Sequence, residues 1–160
     1  MKLYHYVPKE NTCLKDGILS VSLLPECLFH YAQRATSEDH EKIIKWLDST
    51  FMGRSRSISC FTEPLKLNGK IVVNGGHLFS FDVDELIADN LVESIYCKIK
   101  SGNGGLGEVF EKTEAANIDY TPFDFSAYKT EKELVNSFFK HYMIVLKNGY
   151  IPPKYITLEQ

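Results

Sequence analysis

What this 160-residue sequence lacks closes several common routes to function. Its four cysteines, Cys13, Cys27, Cys60 and Cys97, form no C-x-x-C pair. Zinc-finger and thioredoxin-type motifs are therefore absent. Thiols scattered in this way do not make a disulfide framework, so free cysteines in a reducing compartment are expected. No apolar run approaches the roughly 20 residues that a membrane helix needs. The stretch from Met1 to Pro8 has neither the basic nor the apolar region of a cleaved signal peptide. The expected location is cytoplasmic, or inside a host cell after delivery without a cleaved signal peptide.

Positive charge is also scarce. The net charge is −3, and the densest basic cluster is Arg54-Ser55-Arg56. A phosphate-neutralising surface needs many more clustered cations, which argues against general DNA binding. The five histidines, His5, His30, His40, His77 and His141, show no H-E-x-x-H. There is no G-x-S-x-G elbow and no Walker lysine. Gly102-x-Gly104-x-x-Gly107 spells a dinucleotide fingerprint, but no Rossmann half surrounds it, and it reads as a flexible loop. A cysteine hydrolase would need Cys13 or Cys60 activated by a histidine brought near in the fold.

What is present reads as one domain over residues 1–160, without repeat or linker. Leu3 to Val7 is aromatic and β-branched and predicts a first strand stopped by Pro8. Lys9 to Asp16 predicts a short helix closed by Gly17. Ile18 to Leu24 alternates weakly and predicts a second strand or an extended segment. Ser37, with acids behind it and Ile43, Leu47 and Phe51 at i, i+4, i+8, predicts an amphipathic helix ending before Gly53. Strands are expected over Ser57–Thr62, Lys70–Val73, His77–Val83, Ser94–Ile99, Met143–Leu146 and Tyr155–Leu158. In His77–Val83, Phe79 and Phe81 point inward and Ser80 and Asp82 outward, as in a half-buried strand. Helical turns are expected over Asp84–Asn90, Glu108–Asn117 and Thr130–Tyr142. The aromatic block Tyr120 to Tyr128 reads as irregular, serving either as core cover or as a partner patch. About seven strands without regular alternation with helices favour α+β with mainly antiparallel sheet.

One ordered set of residues carries a resemblance. His5 lies between Tyr4 and Tyr6 in the first strand, and Asp16-Gly17-Ile18-Leu19 follows. Ser57-Ile58-Ser59 leads into Phe61-Thr62-Glu63. Near the end come Glu131-x-Glu133 and Gly149-Tyr150-Ile151-Pro152-Pro153-Lys154-Tyr155-Ile156. This order resembles the ADP-ribosyltransferase superfamily, in particular its small divergent bacterial members. The resemblance implies a compact split sheet and NAD as substrate, with an effector or toxin role and a protein, nucleic-acid or small-molecule acceptor. His5 would position NAD, Tyr6 or Tyr31 would stack on nicotinamide, and Ser57 or Ser59 would line the pocket. Glu133 would stabilise the ribosyl cation. In the family the acid usually opens or immediately precedes a strand; here His141-Tyr142 holds that slot and Glu133 lies upstream. Glu63 is a further candidate acid.

The chemistry suits these residue types. Breaking the nicotinamide–ribose bond develops positive charge, which a fixed carboxylate stabilises in a cleft of low dielectric. A flat ring stacks on tyrosine. Ser57 and Ser59 share one face of their strand. The same residues also have structural readings. Thr130-x-x-Glu133 is a capping box, and the alternative to an enzyme is a non-catalytic binding or regulatory domain of toxin–antitoxin, phage-defence or effector type.

Overall fold

The computed structural model describes residues 1–7, 13–23, 37–100 and 107–160. Its strands and helices in chain order are β1 (Lys2–Val7), α1 (Cys13–Asp16), β2 (Ile18–Leu19), α2 (Ser37–Thr50), β3 (Ser57–Cys60), β4 (Lys66–Leu67), β5 (Lys70–Ile71), β6 (His77–Asp82), α3 (Val83–Ala88), β7 (Val92–Lys100), β8 (Val109–Thr113), α4 (Glu131–Val135), β9 (His141–Leu146), β10 (Tyr150–Ile151) and β11 (Ile156–Leu158). Every strand pairing is antiparallel, which makes this an α+β architecture. No helix among the described residues is long and apolar enough to cross a membrane.

Two sheets organise the chain. One has the order β1-β6-β11 and the other β3-β9-β7-β8. Among the described residues they meet through the bridge from Tyr4 to Phe61. Between them, Leu3, Val7, Phe79 and Phe81 from the first sheet pack with Ile58, Ile95, Ile144 and Leu146 from the second. Each such side chain contributes roughly 2–3 kcal/mol by leaving water. A second cluster gathers Leu65, Val72, Leu134 and Phe139, with Tyr6, Phe61, Phe123, Phe125 and Tyr128 against it. The aromatic block therefore covers core at Phe123, Phe125 and Tyr128.

Several turns are set by local chemistry. Gly17 follows α1 with φ at +83°, and a Cβ there would stand 2.1 Å from the Ile151 carbonyl oxygen. Only glycine allows this helix end to lie against β10. Gly53 behaves likewise after α2, with φ at +85° and a hypothetical Cβ 2.7 Å from Val145. The Asp82 side chain accepts from the Asp84 amide at 2.9 Å and caps α3.

Four expectations are corrected. Ser80 on β6 is buried rather than solvent-facing: β6 is the central strand between β1 and β11, and the Ser80 hydroxyl donates to the Glu159 carboxylate. Residues 109–113 form β8 and not a helix; pairing with β7 overrides a weak local helical pattern. The helix expected over Thr130–Tyr142 is only α4, and His141 and Tyr142 open β9. Leu134 in α4 is fully buried, while Phe138 lies beyond the helix and is 43% exposed. Finally, β2 stops at Leu19 and gives way to a 3-10 turn over Val21–Leu23. The expected residues 9–12 of the first helix, and the loop positions Gly102 and Gly104, lie outside the described residues.

Candidate functional site

The point where the two sheets part is built by His5. Tyr4 and Phe61 exchange two backbone hydrogen bonds of 2.8 Å. A continuing antiparallel ladder would next offer the Tyr6 amide to the Ser59 carbonyl. Instead β1 and β3 separate, and the Ser59 carbonyl oxygen lies 2.6 Å from Nδ1 of His5. A carbonyl only accepts, so Nδ1 carries the proton and Nε2 keeps its lone pair. Burial lowers the His5 pKa and outweighs the opposing effect of this hydrogen bond, so the ring is neutral at pH 7. Nε2 makes no hydrogen bond among the described residues.

The other residues expected from the sequence fall into different places. Ser59 is half-buried beside His5, and its hydroxyl has no partner among the described residues. Ser57 is buried, and its hydroxyl donates to the Arg54 carbonyl at 2.6 Å. It closes the 3-10 turn that precedes β3. The Tyr6 hydroxyl accepts from the Leu65 amide at 2.8 Å, and its ring meets Phe61 edge-on at 5.9 Å. Tyr6 is thus a fixed wall. Tyr31 lies outside the described residues. Glu133 is exposed on the first turn of α4; its carboxylate accepts from the Lys129 amide at 2.8 Å. Its own amide donates to Thr130 Oγ1 at 3.2 Å, so Thr130 caps α4, while the Glu133 carboxylate reaches the amide one residue before the cap rather than that of Thr130. Glu63 accepts from the Phe123 amide at 3.3 Å.

Register then defines a floor beside His5. Directly paired residues of antiparallel strands share a face. One row runs Ser59–Met143–Tyr96, and the next His141–Lys98–Phe110. All six are half-buried. Phe61 continues the second row, with its ring 5.4 Å from His141. His141 Nδ1 lies 3.1 Å from the Phe139 carbonyl oxygen, so this ring too presents an Nε2 lone pair. Burial lowers its pKa to about 4, with Lys98 and Arg54 pushing the same way and Glu108 opposing. Phe51, just after α2, stacks on Tyr96 at 4.0 Å and lies 5.0 Å from Phe110, so it covers that part of the floor. Phe138 stands toward the opposite end, 6.5 Å from His141.

Sequence reasoning missed His141, Lys98, Glu108 and Arg54 as neighbours. Burial alone would raise the Glu108 carboxyl, but Lys98 and Arg54 together hold it below its ordinary value. The available signal was the run His141-Tyr142-Met143-Ile144-Val145-Leu146, which reads as one strand if Tyr142 is counted with its β-branched neighbours.

The cysteine chemistry has no support at Cys60. It is fully buried, its thiol donates to the Ile58 carbonyl at 3.4 Å, and burial drives its pKa well above the ordinary value. Cys60 and Cys97 both pair with Tyr142 from opposite sides. Two strand spacings separate them by about 9–10 Å, beyond disulfide reach. The side chain of Cys13 lies outside the described residues. Among the described residues no three His, Cys, Asp or Glu side chains converge as a metal site. No protein-family model, no curated protein and no solved structure matches this chain.

Proposed function

We propose that the chain binds NAD at the split between β1 and β3 and catalyses ADP-ribosyl transfer or NAD cleavage, as a divergent relative of the ADP-ribosyltransferases. The observation that carries this reading is the 2.6 Å contact between His5 Nδ1 and the Ser59 carbonyl, where the two sheets part. It sets the first-strand histidine and the serine strand at one opening, with the imidazole held by backbone. The strand order, with β1 next to β3 and β3 next to β9, also suits a split-sheet transferase fold.

His5 Nε2 accepts a hydrogen bond from a ribose hydroxyl. The Ser59 hydroxyl, without a partner among the described residues, bonds the nicotinamide carboxamide, and Phe61 and Tyr6 form the ring wall. The nicotinamide–ribose bond breaks with its electron pair going to the nicotinamide nitrogen. Water or an acceptor nucleophile then adds to the ribosyl cation and loses a proton. A carboxylate beside the cation lowers this barrier. Glu133 takes that role if its carboxylate turns from the Lys129 amide toward the opening.

A second reading, a non-catalytic binding or regulatory domain with the same cleft, is favoured by one observation: the Glu133 carboxylate is already engaged at the start of α4. Nicotinamide release from NAD by the wild type, His5→Ala and Glu133→Ala distinguishes the two. The transferase reading expects release by the wild type and a fall on the order of 100-fold in His5→Ala, the scale of a lost positioning contact. A similar fall in Glu133→Ala assigns the acid. Absence of both release and NAD binding in the wild type sinks the enzyme and leaves the binding domain.

A further inference from the structure

A row of rings leads away from the split between β1 and β3, and the proposed chemistry uses only one end of it. The Tyr6 and Phe61 rings are 5.9 Å apart, Phe61 and His141 5.4 Å, and His141 and Phe138 6.5 Å. Register explains the order. Phe61 bridges to Tyr4 on β1, and Tyr6, two residues along, lies on the same side of that strand. One step past the Cys60–Tyr142 pair, Phe61 comes opposite His141 on β9.

The two ends of the row differ. The Tyr6 hydroxyl is tied to the Leu65 amide, and the ring is half-buried. Phe138 lies between α4 and β9 and is 43% exposed, although its neighbour Phe139 is buried with Leu134. A single exposed apolar ring needs no explanation by itself. This one stands beside a polar atom that lacks a partner. His141 Nδ1 donates to the Phe139 carbonyl at 3.1 Å, which leaves Nε2 as a bare acceptor on a half-buried ring. Burial keeps the ring neutral at pH 7. Lys98, its partner across the sheet, directs its ammonium to Glu108 at 2.8 Å, and no described residue donates to Nε2.

A ligand that suits this end is flat, apolar on its faces and carries an N–H donor on its edge. An anionic group does not suit it, because a lone pair repels negative charge. We infer that Phe138 and His141 form an adenine seat, with the base stacked on Phe138 and its exocyclic amine donating to His141 Nε2. The inference deepens the NAD reading, on which it rests for the choice of adenine among amino-bearing bases. The two rings of one dinucleotide then take neighbouring places, nicotinamide at Tyr6 and Phe61 and adenine at His141 and Phe138. Stacking of a base on an aromatic side chain contributes roughly tenfold in affinity.

NMR titration with adenosine and with purine riboside, which keeps the ring system and lacks the amine, tests the seat. The proteins are wild type, Phe138→Ala, Phe138→Trp and the control Met52→Ala at a remote exposed position. Adenosine is expected to bind wild type and Met52→Ala alike. It should bind about tenfold more weakly to Phe138→Ala, with recovery in Phe138→Trp. Purine riboside should bind the wild type about fivefold more weakly than adenosine, the scale of one lost hydrogen bond. Adenosine binding undiminished in Phe138→Ala overturns the inference, as does failure of adenosine to bind the wild type. Equal binding of the two nucleosides also overturns it, and that comparison needs no variant to fold. Nicotinamide release with an unchanged KM for NAD in Phe138→Ala sinks the seat and leaves the NAD reading standing. Phe138-dependent adenosine binding without nicotinamide release does the reverse.

Discussion

The two faces of the four-stranded sheet come from the same strands and carry opposite chemistry. One face presents Ile58, Ile144 and Ile95, then Cys60, Tyr142 and Cys97, all buried. The other presents Ser59, Met143 and Tyr96, then His141, Lys98 and Phe110, all half-buried. Alternation along each strand separates them, so one step in sequence moves a side chain from the buried side to the half-buried side. The packed face holds the sheets together. The opposite face gathers the imidazole, hydroxyl and ammonium groups. Substitutions one residue apart should therefore act on different observables.

The largest effect is expected at Ile144, which is fully buried at the centre of the packed face. Ile144→Ala should lose about 3 kcal/mol of stability in urea unfolding, with ligand binding per folded molecule unchanged. Its neighbour Met143, half-buried on the other face, should lose about 1 kcal/mol when changed to Ala and should alter binding instead. Equal losses at the two positions would break the comparison.

The next effect is one of pH. His141 has its pKa lowered to about 4 in the folded chain, below its ordinary value of 6.5. The unfolded chain therefore binds the proton first as pH falls, and stability drops between about pH 6.5 and pH 4. The contribution is about 2 kcal/mol, allowing for a half-buried ring. His5 acts in the same direction. His141→Gln should flatten the stability profile over this window; curves that stay parallel would show that the ring does not need to be neutral to pack.

Smaller effects are expected at the helix cap and the sheet edge. Thr130→Ala removes the side chain that accepts from the Glu133 amide and should cost about 1 kcal/mol in thermal unfolding. Lys112, at the exposed end of the Ser59–Met143–Tyr96 row, should tolerate alanine within about 0.5 kcal/mol. A larger loss there would mean that the half-buried face extends to the edge strand.

Much of the architecture was legible where local pattern and tertiary role agree. The aromatic run around His5, the periodicity of α2 and the alternation in β6 each predicted an element that is present. The misreadings fall where the tertiary partner outweighs local preference. Ser80 reads as solvent-facing, yet β6 is flanked on both edges and Ser80 is buried. Glu108 to Asn117 reads as helix, yet the hydrogen bonds of Val109 to Thr113 go to β7. Of the candidate site, chain order named His5 and the serine strand, and the structure puts the His5 ring against the Ser59 carbonyl. The engagement of Tyr6 with Leu65 and of Ser57 with Arg54 was not legible there, because each bond depends on where a distant backbone group lies.

The sequence by itself determined the mainly antiparallel α+β class, the first strand with its histidine, the amphipathic helix and the Thr130 cap of the last helix. Each of these is written in neighbouring residues, through alternation, helical period or a side chain reaching three positions along. Only the tertiary structure decided that the sheets part at Ser59, that His141 opens a strand instead of ending a helix, and that Lys98, Glu108 and Arg54 share one cluster. Those facts depend on strand pairing between distant segments, and pairing is chosen by the burial of whole faces rather than by any local preference.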